Sequence, residues 1–392
     1  MRIGIEVQRL FRKKRYGIET SAIELIHELY NLKTNNEIIV LTKPGDNQKL
    51  FDGCSNFNIK YVSGKVFVDF EQFMLPIAAS RANIDILHCT GNTTPLLCTK
   101  PIVQTLHDII YMDPIPTTDS LYQRVGNFYR RMIVPMAVKK SKAIITVSHY
   151  EKKRIVERLK LNETKVHVIH NGINSQFKKT TNLALLRATQ LKYKLPDEFI
   201  LFLGNSSSRK NPEAVLEAYA VYAQRAQQPL PLVTPGLSND FIASHLKKKG
   251  ITQLAGNIHS PGYILQDDLV HIYSLSKLFL FPSLSEGFGM PVLEAMACGV
   301  PVITSNLSSL PEISGDAALL INPYHSIEIS DAMLEILENP ILMENQITKG
   351  LKQVQQFQWK HVAEKTMEIY ERVYHETAKS TGKPGHYEIQ SS

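Results

Sequence analysis

Residues 278–323, LFLFPSLSEGFGMPVLEAMACGVPVITSNLSSLPEISGDAALLINP, leave little freedom of fold. LFLFPS is an apolar run of strand length, and VPVITSN is a second one closed by turn residues. Between them a glycine-rich loop opens into a short helix. Strand, loop, helix, strand is a βαβ unit, whose two strands lie parallel in one sheet. Pro291 suits a first helical position, and Gly299 suits the end.

The loop carries chemistry. Gly287 and Gly289 let the backbone approach a ligand closely. The free N–H groups at the helix start attract anions, phosphate above all. Glu286 and Glu294 bracket this end, and a carboxylate beside a phosphate repels it. Both acids are therefore assigned to hydroxyl groups, for which a carboxylate is a strong acceptor. A phosphate and a polyol together describe a nucleotide sugar.

Glu286 and Glu294 with GFG between them resemble the E-x7-E signature of the retaining GT-B glycosyltransferases, specifically glycosyltransferase family 4 (glycosyl transferases group 1). The likeness continues through PSLSEGFGMPVLEAMACGVPVITSN and SSLPEISGDAALLINP. It implies two Rossmann-like α/β/α domains facing each other across a cleft, with a final helix crossing back to the first domain. It also implies transfer of a hexose (mannose, glucose, rhamnose or similar) from a nucleotide diphosphate sugar to a hydroxyl of a saccharide or lipid-linked saccharide acceptor. Cell-surface polysaccharide or lipopolysaccharide synthesis is the expected setting.

A chain of 392 residues suits two domains. The expected division is 1–175 on the acceptor side, a polar linker 176–196, a nucleotide-sugar domain 197–358, the returning helix 359–376 and a polar tail 377–392. Strand–helix alternation runs through both halves and argues for parallel sheets covered on both faces. Helices are expected at Thr20–Leu32, where Ser21 and Glu24 read as a capping box, and at Glu71–Ala82, Ser120–Lys140, Tyr150–Lys160, Ser326–Leu337, Glu344–Phe357 and Lys360–His375.

Other residues join the site by the same resemblance. RLFRKKRYGIETS follows the first strand, where an open α/β sheet binds ligands. It is similar to the family's GGIER loop, with Tyr16 in place of the first Gly and Thr20 in place of Arg. Gly17, Ile18 and Glu19 carry over. TLHDIIY resembles the family's HD motif and sets His107 beside the transferred sugar; taken alone, His107 reads as a loop histidine tied to backbone. The loop from Gly204 to Asn211 ends in Arg209 and Lys210 before a Pro212 helix start, a clamp for the leaving diphosphate. The backbone near Tyr263 and Ile264 resembles the element that meets the base. The resemblance thus makes Glu286, His107, Arg209 and Lys210 catalytic. It places Gly17, Gly204, Tyr263, Ile264, Gly287, Phe288, Gly289, Met290, Val292, Leu293 and Glu294 around the donor.

No D-x-D occurs, and the Arg–Lys pair supplies the positive charge a divalent ion would bring, so no metal and no cofactor is expected. Cys54, Cys89, Cys98 and Cys298 have no metal-ligand spacing and read as reduced core thiols of a cytoplasmic protein. The N-terminus lacks the apolar segment of a signal peptide, and no apolar run reaches the about 20 residues that span a bilayer.

Over residues 1–179 there are 27 Lys and Arg against 16 Asp and Glu, so the net charge of +7 sits in the first half. That fits an acceptor presented at an anionic membrane surface, with contact expected through Arg12–Arg15, Lys139–Lys142 and Lys152–Arg154. A nucleic-acid binder would explain the basic half but not the glycine loop, and zinc-finger spacing and aromatic RNA-binding motifs are absent. A nucleotide-sugar epimerase of the same fold fits the Glu286–Glu294 pair poorly. A nucleotide-sugar-binding scaffold or sensor without catalysis is the remaining alternative.

Overall fold

In the computed structural model, which describes residues 1–8, 17–45, 58–113 and 121–381, short apolar runs of the sequence become two wholly parallel sheets. The first contains β1 (Arg2–Glu6), β2 (Glu37–Thr42), β3 (Asn58–Tyr61), β4 (Ile86–Cys89), β5 (Ile102–Thr105), β6 (Ala143–Thr146) and β7 (Val166–Val168). The second contains β8 (Ile200–Phe202), β9 (Leu232–Val233), β10 (Ile258–His259), β11 (Leu278–Phe281), β12 (Val302–Ser305) and β13 (Leu319–Ile321). Strands β4, β5, β6, β8, β11 and β12 are buried at every position, as parallel strands covered on both faces must be.

Strand order is β3-β2-β1-β4-β5-β6-β7 in one sheet and β10-β9-β8-β11-β12-β13 in the other. Each order reverses direction once, between β1 and β4 and between β8 and β11. The crevice outside the carboxyl ends of the strands at such a switch point is where open α/β sheets bind ligands.

The chain divides into one unit of Met1–Gly172 with Trp359–Ser392 and another of Ile173–Gln358. The segment expected as a linker contains a helix, Leu183–Tyr193. Asn182 caps it by accepting from the N–H groups of Ala184 and Leu185. It is bound to the helix Gln266–Leu275 through Thr189 with His271 at 3.0 Å and Tyr193 with Asp268 at 2.6 Å. Exposed Leu183 and Leu191 blur its apolar stripe, which is why periodicity misses it.

Other boundaries move for local reasons. The first helix runs Gly17–Asn31, so Ser21 and Glu24 lie inside it and form no capping box. The helical segment expected from Glu71 begins at Phe67 and passes through a π-turn, Phe70–Met74, before Leu75–Arg81. The helix Pro340–Gln353 starts at a proline and is capped by Asn339, ahead of the expected Glu344.

The last helix, Trp359–Thr381, completes the core of the first unit. Its Trp359, Val362, Met367, Tyr370 and Val373 share one cluster with Ile23, Ile26 and Leu29 of the helix Gly17–Asn31 and with Ile5, Val103 and Ile145 of the sheet. Tyr370 adds a polar tie, its hydroxyl 2.5 Å from Nδ1 of the fully buried His88. Burial and the nearby His107 lower the His88 pKa to about 3, so this imidazole is neutral at ordinary pH. Cys89, Cys98 and Cys298 are buried free thiols, whereas Cys54 lies outside the described residues.

Gly172 lies against the start of this helix, and a Cβ there would collide with the backbone N of Trp359 and come within 2.6 Å of its Cγ. Gly172→Ala should therefore destabilise the first unit by about 2 kcal/mol, read as a lowered thermal unfolding midpoint. An unchanged midpoint would refute this account of the contact.

Candidate active site

In the second unit the loops after β8 and β11 meet at the switch point. The first carries Arg209 and Lys210 on a single 3-10 turn, Ser208–Lys210, and leads into the helix Pro212–Arg225. Asn211 makes the junction in the left-handed region, φ 59°. Its side-chain amide donates to the carbonyls of Pro282 and Pro323 at 3.2 and 2.6 Å. Leu284 N–H donates to the Arg209 carbonyl at 2.8 Å, so the two loops are laced by backbone as well.

Glu286 sits at the centre. Its Oε1 lies 2.7 Å from Lys210 Nζ, and its Oε2 lies 2.7 Å from Arg209 Nη1. Arg209 also donates to the Ser285 carbonyl, and Lys210 lies 4.4 Å from the centre of the Phe281 ring. Burial alone would raise the Glu286 carboxyl; Lys210 and Arg209 outweigh it and hold the group below the ordinary carboxylate range. One acid between two cations leaves a net positive charge of one.

Past Glu286 the chain turns through Gly289, at φ 117°, into the helix Met290–Ala297. A Cβ on Gly289 would stand 2.8 Å from Leu310 Cδ2, so glycine meets both a backbone and a packing demand. Ser309 Oγ lies within bonding distance of the Glu286 and Phe288 carbonyls, at 3.0 and 2.7 Å, and shapes the loop from outside. The Glu286 N–H donates to Ser308 Oγ. Phe288 packs edge-on to Phe357 at 6.0 Å, and Val292 and Leu293 are fully buried, so only the backbone of these three is placed to meet a ligand. The Val292 N–H already closes a turn on the Gly289 carbonyl at 3.0 Å.

Glu294 lies one helical turn farther and accepts from the Tyr273 hydroxyl at 2.9 Å. Burial pushes its pKa up to about 7. Glu286 and Glu294 thus differ in kind: one is held ionised by two cations, the other is poised at neutrality. Gly204 stands at the start of the Arg209 loop. Tyr263 and Ile264 lie on the loop after β10, with Tyr263 well exposed.

His107 and Gly17 belong to the first unit. Gly17 opens its helix directly after residues outside the described range. His107 follows β5, its N–H donating to Asn92 Oδ1 at 2.8 Å and its Nε2–H to the Thr90 carbonyl at 2.9 Å. The imidazole is therefore tied to backbone at Nε2, with its lone pair at Nδ1, and burial lowers its pKa. The same loop meets Glu71 on the π-turn: the Thr93 hydroxyl donates to one carboxylate oxygen, and Tyr129 and Gln72 donate to the other. Sequence reading passed over Glu71, Asn211, Tyr273, Ser308 and Ser309. The serines of the SSLPE segment carry no motif of their own.

Comparison with known proteins matches residues 188–353 to the family described as glycosyl transferases group 1 and residues 16–177 to glycosyltransferase family 4. O-antigen chain mannosyltransferase B of Escherichia coli is 30% identical over 271 residues, covering 68% of this chain and 69% of that protein. O-antigen chain mannosyltransferase RfbU of Salmonella typhimurium is 27% identical over 62% of each chain. The serotype-specific mannosyltransferase WbdA of Escherichia coli is 32% identical over 59% of this chain, which spans only 29% of WbdA. Among solved structures, Anabaena Alr3699/HepE in complex with UDP and glucose superposes with a TM-score of 0.71 at 17% identity, covering 94% of this chain and 99% of that one. WaaG, a glycosyltransferase involved in lipopolysaccharide biosynthesis, gives 0.70 at 14% identity over 94% and 99%.

Two stability measurements test the electrostatics. Glu286→Gln leaves two partly buried cations without their anion and should cost about 2 kcal/mol; a loss under half of that would refute the triad as a structural unit. Glu294 binds a proton in the folded chain between pH 4.5 and about 7 that the unfolded chain lacks. Its contribution is complete below pH 4.5 and is lost as pH rises through 7, by up to about 3 kcal/mol. Glu294→Gln should thus unfold at a higher temperature than the parent at pH 8 and at the same temperature at pH 4.5. Equal midpoints at both values would contradict the raised pKa.

Proposed function

The chain belongs to glycosyltransferase family 4, the glycosyl transferases of group 1, with the GT-B fold, and from that premise we propose a retaining, metal-independent mannosyltransferase of cell-surface polysaccharide synthesis. The observation that carries the reading is the Arg209–Glu286–Lys210 triad, set at the switch point of the second sheet before a glycine turn into a helix. The choice of mannose rests on relatives that are mannosyltransferases. GDP-mannose is the leading donor and a UDP-hexose the second candidate, since HepE holds UDP and glucose.

The hard step is expulsion of a nucleoside diphosphate while positive charge grows at the anomeric carbon. Cations fixed in advance stabilise the leaving group without reorganisation. Arg209 and Lys210 take the diphosphate. Burial lowers the Lys210 pKa, and the Glu286 carboxylate beside it opposes that loss of charge. Glu286 and the backbone of Gly287 to Met290 receive sugar hydroxyls, and Glu294 receives the ribose. His107 keeps the role beside the transferred sugar that the motif implies.

In the proposed front-face reaction the anomeric C–O bond to phosphate breaks and a bond to the acceptor oxygen forms on the same face. The leaving phosphate takes the acceptor proton. Configuration is retained without a carboxylate nucleophile. A saccharide or lipid-linked acceptor on the cytoplasmic face of the membrane fits the O-antigen relatives. Among the described residues no helix is long and apolar enough to cross a membrane.

Thermal shift without metal, using GDP, UDP, dTDP, ADP and their sugars, tests the donor site. The matching nucleotide at 100 times its dissociation constant should stabilise by about 2.7 kcal/mol. The shift should vanish in Arg209→Ala and Lys210→Ala, and binding should tighten as pH rises through about 7, where Glu294 ionises. Transfer from GDP-mannose should persist in EDTA and fall in His107→Ala. No shift with any nucleotide would overturn the donor site; a shift without transfer from any donor would leave a nucleotide-sugar-binding scaffold; activity lost in EDTA and restored by magnesium would overturn metal independence.

A further inference from the structure

Glu71 is an acid that the reaction as described does not use, yet the fold buries it, which costs free energy unless its oxygens are bonded. It stands with Phe70 and Gln72 as three successive buried residues on the π-turn Phe70–Met74. On an α-helix three successive side chains spread over about 200°, too wide for one core-facing stripe. The extra residue of a π-turn narrows that spread, so Glu71 and Gln72 reach the same partners, and such turns recur at functional sites. Burial raises the Glu71 pKa, and bonds from Thr93, Tyr129 and Gln72 oppose the rise.

The pair grips the loop after β4. The Thr93 hydroxyl donates to Glu71 Oε2. Gln72 brackets the next residues: its Nε2 donates to the Thr94 carbonyl at 3.2 Å, and its Oε1 accepts from the Leu96 N–H at 2.9 Å. Tyr129, on the helix Leu121–Lys140, locks the two side chains together. Its hydroxyl donates to Glu71 Oε1 at 2.7 Å and accepts from Gln72 Nε2 at 2.9 Å. Gln72 Nε2 also donates to Glu71 Oε1 at 2.7 Å.

The other side of the same loop holds His107. Asn92 Oδ1 accepts from the His107 N–H, and the Thr90 carbonyl accepts from its Nε2. Gln104 Nε2 donates to the Asn92 carbonyl at 2.8 Å, and the Thr93 N–H closes a turn on the Gly91 carbonyl. A single peptide bond, Asn92 to Thr93, thus joins a residue held by Glu71 to one that holds His107. A bond at one ring nitrogen of a histidine fixes the role of the other. We propose that Glu71 is a positioning residue for His107: with Gln72 it fixes the 90–96 loop so that Asn92 and the Thr90 carbonyl hold the imidazole in one tautomer and one orientation. The inference rests on the reading of His107 as the residue beside the transferred sugar, but its first test needs no sugar.

That test is histidine-selective isotope labelling of the full chain, followed by NMR, with the His107 signals identified by their loss in His107→Gln. The parent should show the Nε2–H tautomer and a His107 midpoint below the ordinary value of about 6.5, as burial requires. Glu71→Ala frees Thr93 and lets water into the loop, so the midpoint should rise by at least about 0.5 toward that value. Glu71→Gln still bridges Thr93 and Tyr129, since a hydroxyl accepts as well as donates, and should keep the parental signals. His245 and His271 of the second unit should stay in place in both variants. Where Glu71→Ala fails to fold, Thr93→Val removes the same bond and should move His107 in the same direction.

In turnover of GDP-mannose, Glu71→Ala should lose on the order of 100-fold with the nucleotide-induced thermal shift unchanged. It should add less than about twofold to His107→Ala, because residues that act through one group are not additive. Unmoved His107 signals in a folded Glu71→Ala chain overturn the proposal, as do an equal displacement in Glu71→Gln and a fully additive loss in the double variant. His107 displaced as expected, in a chain that shows no nucleotide shift, would uphold the positioning and count against the donor site alone.

Discussion

Two partly buried cations side by side need an anion, and in this chain that anion is Glu286. Its two oxygens lie 2.7 Å from Arg209 and Lys210, which arrive from a different strand. Without the carboxylate, desolvation would discharge the lysine or open the loops. With it, Glu286 opposes the desolvation that lowers the Lys210 pKa, and both side chains are aimed and partly desolvated, where their field is strongest. The Asn211 amide, the Leu284–Arg209 backbone bond and the serine pair at 308 and 309 all serve to hold that geometry.

The sheet makes the meeting possible. Reversal of strand order between β8 and β11 leaves their following loops side by side, with the crevice between them uncovered by a crossover. Sequence separation is immaterial there: Lys210 and Glu286 are 76 residues apart. The same rule operates between β1 and β4 in the first unit, where the Thr90 hydroxyl donates to the Glu6 carbonyl and the 90–94 loop carries the partners of His107.

Local signals were readable where one residue type answers one local demand. Gly289 and Gly299 have positive φ, Pro291 lies in the first turn of its helix, and the apolar runs LFLFPS and VPVITSN became parallel strands within two residues. Signals that compete with tertiary packing misled. Ser21 and Glu24 look like a cap, yet the helix starts at Gly17 and buries Ser21. Residues 183–193 look polar, yet Thr189, Lys192 and Tyr193 find partners on the helix Gln266–Leu275. The π-turn at Phe70–Met74 leaves no mark in periodicity, because one extra residue per turn only shifts the phase.

Composition, strand–helix alternation and the spacing of Glu286, the two loop glycines and Glu294 were enough to settle a parallel α/β chain with a glycine-rich turn into a helix start, since each depends on neighbours along the backbone. Side-chain pairing over long separations settled the rest. Only the folded chain sets Glu286 between Arg209 and Lys210 and gives two acids eight residues apart opposite electrostatic environments. Only the folded chain brings Glu71 to the loop that holds His107, because that meeting depends on how the elements pack and not on neighbours along the backbone.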